Sequence, residues 1–244
     1  MNLQPSDFSS PAESLQRWVV IPAVMLALAG VALFTVDLPV ARACAPRDWP
    51  DEIHRYLRSI EPFGTIYGQG MLMLGMFCVL PALRRCIPRV LSAAIAAGLA
   101  ANVVKLMVGR QRPKYFDVTS DSATDAFAGF LPFLQGGASL KSFPSAHVAS
   151  AVAFAVLLTH LFPRGKWLFA VTAGLVALQR IEVTEHFVSD VFGGAAVGWL
   201  VAQAFLRVPR VAAWFDRFES SGNVEASGGA PDGVPASAKV SAAA

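Results

Sequence analysis

The chain has 244 residues, of which 55% are hydrophobic and only 15% charged, and its formal net charge at neutral pH is +3. A soluble domain carries about 25% charged residues, so this composition, with a mean hydropathy of +0.50, excludes an ordinary soluble globule and points to a polytopic helical membrane protein. The small, scattered positive charge excludes nucleic acid as a partner, and three cysteines without metal spacing give neither a disulfide framework nor a metal site.

In chain order, residues 1–17 form a polar N-terminal segment, disordered or weakly amphipathic. Trp18 to Val36 is an apolar run long enough to span a bilayer at about 1.5 Å per residue. Ala41-Arg42-Ala43 resembles a signal-peptide cleavage site. The run is longer than the ~7–15-residue core of a signal peptide, however, and the segment before it is not basic, so an uncleaved span is expected. From Asp48 to Ile60, Trp49, Ile53, Tyr56, Leu57 and Ile60 recur at helical spacing with charged residues between them. This predicts an amphipathic helix lying in the interface plane, with His54 as a solvated surface histidine.

Further spans are expected over residues 65–83, 90–108, 145–162, 167–178 and 187–206, with basic turns at 84–89 and 163–166 and a polar loop at 115–143. The fold expected is therefore all-α, with six transmembrane helices and one interfacial helix in a membrane domain of residues 18–215. Residues 216–244 are rich in Gly, Ser, Ala and Pro and read as a disordered tail. The basic short turns place both termini in the cytoplasm, and in a bacterial inner membrane the opposite face would meet the periplasm or exterior.

Chemistry-bearing residues gather toward that outward face. Lys105 and Arg112 are seven apart, nearly two helical turns, so both are expected to project from one helix face before Pro113 ends it. Arg110 and Lys114 read as basic side chains snorkelling to the interface. Ser145 suits an N-cap, the amides behind it would form a phosphate-binding helix start, and His147 would stand beside the anion. His186 and Asp190 are four apart, so on a helix they share a face. A carboxylate behind an imidazole fixes its tautomer and frees the other nitrogen to act as base or nucleophile. Arg180 suits an anionic substrate, because its planar fork matches phosphate oxygens. Glu182 and Glu185 read as partial neutralisation of this cationic pocket. Asp117, Asp121 and Asp125 read as a solvated loop rather than a Mg²⁺ cluster. Gly194 and Gly198 read as close helix packing.

Three stretches, Lys105-x6-Arg112-Pro113, Pro144-Ser145-Ala146-His147 and Arg180-x5-His186-x3-Asp190, resemble in order and spacing the three signature motifs of the type 2 phosphatidic acid phosphatase superfamily. The resemblance is close over about residues 100–205. It implies a metal-independent membrane phosphatase, without a cofactor, that hydrolyses a lipid phosphate or polyprenyl diphosphate. His186 would be the nucleophile forming a phosphohistidine, and Asp190 would hold its imidazole. His147 would protonate the leaving oxygen and then deprotonate water. Lys105, Arg112, Ser145, Arg180 and the amides near Ala146 would hold the phosphoryl oxygens. The partners implied are the lipid phosphate and the bilayer, with undecaprenyl diphosphate, phosphatidylglycerophosphate, phosphatidic acid and a lipid A phosphate as candidates. A lipid phosphotransferase of the same constellation and a non-catalytic lipid-binding protein are the alternatives; vanadate haloperoxidases resemble it too but are soluble. Two positions depart from the usual pattern: Ala146 stands where glycine is common, and Gln179 where serine is common. Neither removes a group that does chemistry, so altered geometry is expected rather than lost activity.

Overall fold

Apolar runs become helices through nearly all of the chain that the computed structural model describes, residues 16–45, 49–131 and 137–227. Residues 1–15 and 228–244, which hold most of the polar N-terminal segment and the end of the tail, lie outside them. After a π-helical turn at Gln16–Val20, α1 spans Ile21–Thr35 and α2 spans Asp37–Cys44. Pro22 sits in the first turn of α1, where its missing N–H costs no hydrogen bond. The amphipathic helix is α3, Asp51–Ile60, and a 3-10 turn at Glu61–Gly64 joins it to α4, Ile66–Val79. The Thr65 hydroxyl caps α4 by accepting from the Gly68 amide. A 3-10 turn at Pro81–Cys86 leads into α5, Ile87–Met107. The remaining helices are α6 (Ala146–Leu161), α7 (Lys166–Glu182), α8 (Val188–Arg207) and α9 (Pro209–Ser227).

Among the described residues, three helical stretches are long and apolar enough to cross a membrane: Trp18–Thr35, Pro81–Met107 and Val188–Arg207. Ile66–Val79 and Ala146–Leu161 are shorter apolar helices. The outer surfaces of these helices expose large apolar side chains, among them Val31 and Phe34 on α1, Met71 and Leu74 on α4, and Leu99 and Val103 on α5. Such a surface suits hydrocarbon and not water. The chain is an integral membrane protein.

Helix α6 lies at the centre, packed by α5, α7 and α8, while α1 lies against α8. The contacts are close because the facing residues are small. Ala93, Ala94, Ala97 and Ala101 of α5 and Ala149, Ala151 and Ala153 of α6 are fully buried in one core. A Cβ on Gly194 would stand 2.4 Å from Ser145 O, and one on Gly198 would stand 2.3 Å from Ala149 O. Those two glycines therefore let α8 cross α6 at backbone contact, as their spacing predicts, and bring Asp190 beside Ser145.

Three features differ from expectation. First, α5 stops at Met107, because Val108–Arg110 forms a strand, β1, paired antiparallel with β2, Phe127–Phe130. The predicted polar loop thus contains a small hairpin, and the fold is helical but not purely so. Lys105 and Arg112 consequently do not share one helix face: Lys105 is helical and Arg112 is extended. Second, α7 continues to Glu182, well past the expected end of the fifth apolar run. Third, the chain stays helical beyond residue 216, where composition predicts disorder, as far as Ser227. Arg89 anchors this helix: its guanidinium pairs with Asp216 and, at 3.0 Å, with Glu219, and it stacks over the Phe215 ring.

Candidate active site

The β1 strand and the two loops around it assemble the site at one end of the bundle. Arg112 N–H donates to Ser139 O at 2.9 Å and Ser142 N–H donates to Arg110 O at 3.0 Å, so segment 108–112 runs between β2 and the approach to α6. The register shifts between Gly109 and Arg110, and both residues are buried, with Arg110 turned inward. Its side chain is completely buried and pairs with Asp190 Oδ1 at 2.5 Å and Asp37 Oδ2 at 2.8 Å. Phe127 and Phe187 cover the guanidinium, with ring centroids 4.8 and 4.3 Å away. The snorkelling expected of Arg110 is therefore wrong: it is the most deeply buried cation of the site. Asp37, at the junction of α1 and α2, also accepts from the Ser189 amide at 2.9 Å and from the Ser189 hydroxyl. Lys114, by contrast, stays at the surface and pairs with Glu185 at 2.6 Å.

His186 is not on a helix. It lies in the turn between α7 and α8, just before Phe187, the N-cap of α8. Thr184 adopts left-handed backbone geometry (φ 56°), and the amides of Glu185 and His186 both donate to Arg180 O at 3.2 Å. This tight reversal lays His186 back over the start of α8, where it is buried. Asp190, at the third position of α8, accepts the Phe187 amide at 2.8 Å and the Ser142 hydroxyl at 2.6 Å through one oxygen. That oxygen is 3.8 Å from His186 Nδ1, a charge contact rather than a formed hydrogen bond. Burial pulls the His186 imidazole below its ordinary value, although the Asp190 carboxylate opposes this, so the ring is held neutral with an unshared electron pair.

The cations surround these two residues. Lys105 lies within electrostatic reach of both Arg112 and Arg180, and Arg180 and Lys105 act on both His147 and His186. His147, in the first turn of α6, leaves 37% of its side chain exposed, whereas His186 is closed in. Ser145 occupies the N-cap position of α6 but makes no cap hydrogen bond. Its Oγ is buried without a partner among the described residues, as are Arg112 Nε and Arg180 Nε. Buried donors left unpaired are costly unless a ligand meets them, and donors around a helix N-terminus suit an oxyanion. Ala146 follows directly as the first helical residue. Thus His186, His147, Asp190, Lys105, Arg112, Ser145, Ala146 and Arg180 all come to one end of the bundle.

Acidic side chains complete the rim. Glu185 pairs with Arg112 and Lys114. Burial pushes its carboxyl up, but the Lys114 hydrogen bond and the Arg112 and Lys114 charges outweigh this and hold it below its ordinary value. Glu182 faces elsewhere: its Oε1 is 2.6 Å from His54 Nδ1, and Arg58 donates to the other ring nitrogen at 2.7 Å. His54 is therefore a half-buried link between α3 and α7, not the solvated histidine predicted. Glu61, in the 3-10 turn after α3, pairs with Arg180 at 2.6 Å. Sequence reading passed over Asp37, Glu61 and Ser142 and placed Arg110 at the interface. An acid just past the first apolar run, on the same face as a cluster of arginines, is the signal that could have found Asp37.

The model of the PAP2 superfamily matches residues 88–214, just over half of the chain. The chain belongs to the PAP2 superfamily. The match takes in all three motifs and leaves out α1 to α4. Among curated relatives, the chain is 36% identical over 104 residues to lipid A 1-phosphatases of Rhizobium etli and Rhizobium johnstonii. That stretch is 43% of this chain and 42% and 40% of theirs, so the chain spans less than half the length of these curated relatives it matches. Among solved structures it resembles the transmembrane PAP2 type phosphatidylglycerolphosphate phosphatase of Bacillus subtilis, with a TM-score of 0.54 and 20% identity, covering 83% of this chain and 97% of that one. Aquifex aeolicus LpxE gives a TM-score of 0.50 at 19% identity over 71% of this chain and 96% of that one. At such identities these likenesses establish a shared PAP2 fold alone.

Proposed function

We propose that this protein is a metal-independent phosphatase of lipid phosphates that works through a phosphohistidine. The observation that carries the reading is the gathering at one end of the bundle of a buried His186, a more exposed His147, three cations and, at a helix start, a Ser145 hydroxyl with no partner among the described residues. His186 Nδ1 faces Asp190, which leaves Nε2 to attack phosphorus in line. The bond from phosphorus to the lipid oxygen breaks as the bond to Nε2 forms, and His147 gives the departing oxygen a proton. His147 then takes a proton from water, whose oxygen attacks phosphorus and displaces His186, releasing inorganic phosphate. Lys105, Arg112, Arg180, Ser145 and the Ala146 amide meet the charge on the equatorial oxygens, which is the main requirement of phosphoryl transfer.

The six apolar helices α1, α4, α5, α6, α7 and α8 are read as six spans. The basic turns holding Arg84, Arg85, Arg164 and Lys166 lie on the cytoplasmic side with both termini, and the site faces the periplasm or exterior of a bacterial inner membrane. A groove of about 440 Å³ runs from His147 between α4 and α5, past Ile66, Ile95 and Leu99, and offers a lipid chain a path from the bilayer. The names of the relatives favour a lipid A phosphate or a glycerophospholipid phosphate among the candidates. The test is phosphate release by the purified chain in detergent with EDTA, over a panel of lipid phosphates and polyprenyl diphosphates. Release is expected with EDTA present and absent in His186→Ala; loss with EDTA, or persistence in the variant, refutes the mechanism.

A further inference from the structure

Glu61 has no part in the steps above, yet it reaches the centre of the site. Its Oε1 is 2.6 Å from Arg180 Nη1 and 4.0 Å from His147 Nε2, and its Oε2 is 3.5 Å from Gln179 Nε2. The segment that carries it is held in place. A Cβ on Gly64 would stand 3.0 Å from His147 O and 2.8 Å from Val176 Cγ1, so only glycine permits this approach to α6 and α7. One helical turn further on, the fully buried Gln69 donates to Phe63 O at 2.9 Å and to Ser150 Oγ at 3.0 Å, fastening the same turn to α6. The Glu61 side chain nonetheless keeps 32% of its surface exposed, so a ligand can touch it.

Its position decides what it touches. His147 protonates the leaving oxygen, His147 and Gly64 line the lipid groove, and Glu61 Oε1 stands 4.0 Å from His147 Nε2. The first atoms of the leaving group therefore pass beside Glu61. A carboxylate only accepts hydrogen bonds. It stabilises a leaving group that presents hydroxyls and repels one that is itself a phosphate. We propose that Glu61 selects the leaving group, favouring a single phosphate monoester on a hydroxyl-bearing lipid head such as glycerol or sugar, and disfavouring diphosphates. This rests on the lipid phosphatase reading above. Gln179, which stands where the family commonly has serine, fits the same device, because its longer amide reaches the Glu61 carboxylate that a serine hydroxyl would not.

The test compares kcat/KM of the wild-type chain, Glu61→Gln and Glu61→Ala on phosphatidylglycerophosphate, undecaprenyl diphosphate and para-nitrophenyl phosphate. The aryl phosphate offers neither a hydroxyl nor a second phosphate, so it reports changes in Arg180 and in folding alone. Relative to it, both variants are expected to lose about tenfold on phosphatidylglycerophosphate, the worth of one charge-assisted hydrogen bond, and to gain on the diphosphate. A single common factor on all three substrates overturns the proposal, since it would make Glu61 a mere competitor for Arg180. So does a ratio that does not change. If the wild type releases phosphate from neither lipid, the phosphatase reading itself falls, and the role of Glu61 with it.

Discussion

Replacing Arg110 with methionine separates two views of that residue by a wide margin. A snorkelling arginine at the interface contributes about 0–1 kcal/mol, as exposed ion pairs do. Arg110 instead is completely buried between two carboxylates that are themselves 0–1% exposed, Asp190 and Asp37. Removing one partner from a buried charge network costs about 3–5 kcal/mol, because the remaining charge is stranded away from water. Methionine retains packing between Phe127 and Phe187, so nearly all of the loss is electrostatic. For a chain of this size the midpoint of thermal unfolding in detergent should fall by about 6–20 °C. Adding Asp37→Asn removes one of the two stranded charges and should recover about half of that fall, whereas Asp37→Asn alone should destabilise. A fall below about 3 °C for Arg110→Met, or strictly additive effects in the double variant, would refute the buried network.

Ser145→Ala should leave stability unchanged or slightly raised, since its buried hydroxyl has no partner among the described residues, while lowering kcat about 10²-fold through loss of an oxyanion donor; equal activity removes Ser145 from the phosphate site. Gly194→Ala puts a methyl 2.4 Å from Ser145 O, so unfolding measurements should show about 1–3 kcal/mol of destabilisation from the forced separation of α8 and α6, and a neutral result contradicts the close crossing. The His186 imidazole is held below its ordinary value of 6.5 by burial, with Asp190 opposing, so the unfolded chain binds its proton first as pH falls. The stability this withholds is fully restored above 6.5 and declines below it. Phosphohistidine formation, followed by rapid quench, should accordingly keep its rate down through pH 6.5; an acid limb centred above that value contradicts a neutral nucleophile.

The sequence shows the spans and the three motifs because both are local signals. Apolar runs mark helices directly, and Ser145 to His147 or Arg180 to Asp190 are short stretches whose residues meet wherever the chain folds. Geometry that depends on a distant partner was not legible. The spacing of Lys105 and Arg112 suggests one helix face, but β2 captures Val108–Arg110 into a hairpin and ends α5 between them. The spacing of His186 and Asp190 suggests a helix, yet the turn at Thr184 brings them together with His186 outside α8. Arg110 and His54 looked like surface charges because their partners, Asp37 at 73 residues' separation and Glu182 at 128, lie far along the chain. Burial of a charge is a property of its tertiary partners and leaves no local trace.

Asp37 gives the first helix a stake in the chemistry that its apolar sequence conceals. The residues resembling a processing site, Ala41-Arg42-Ala43, lie one helical turn past Asp37, and Arg42 itself ties α2 to Val118 O at 2.7 Å and Ser120 O at 3.0 Å. A chain cut there would part with Asp37, leaving Arg110 with one counter-charge and the Ser189 amide without its acceptor. The start of α8, where Asp190 sits, would loosen although no motif residue had been touched. Integrity of the N-terminal helices and assembly of the candidate site are thus a single structural question, and supplying α1 and α2 as a separate polypeptide would be a way to restore a shortened protein.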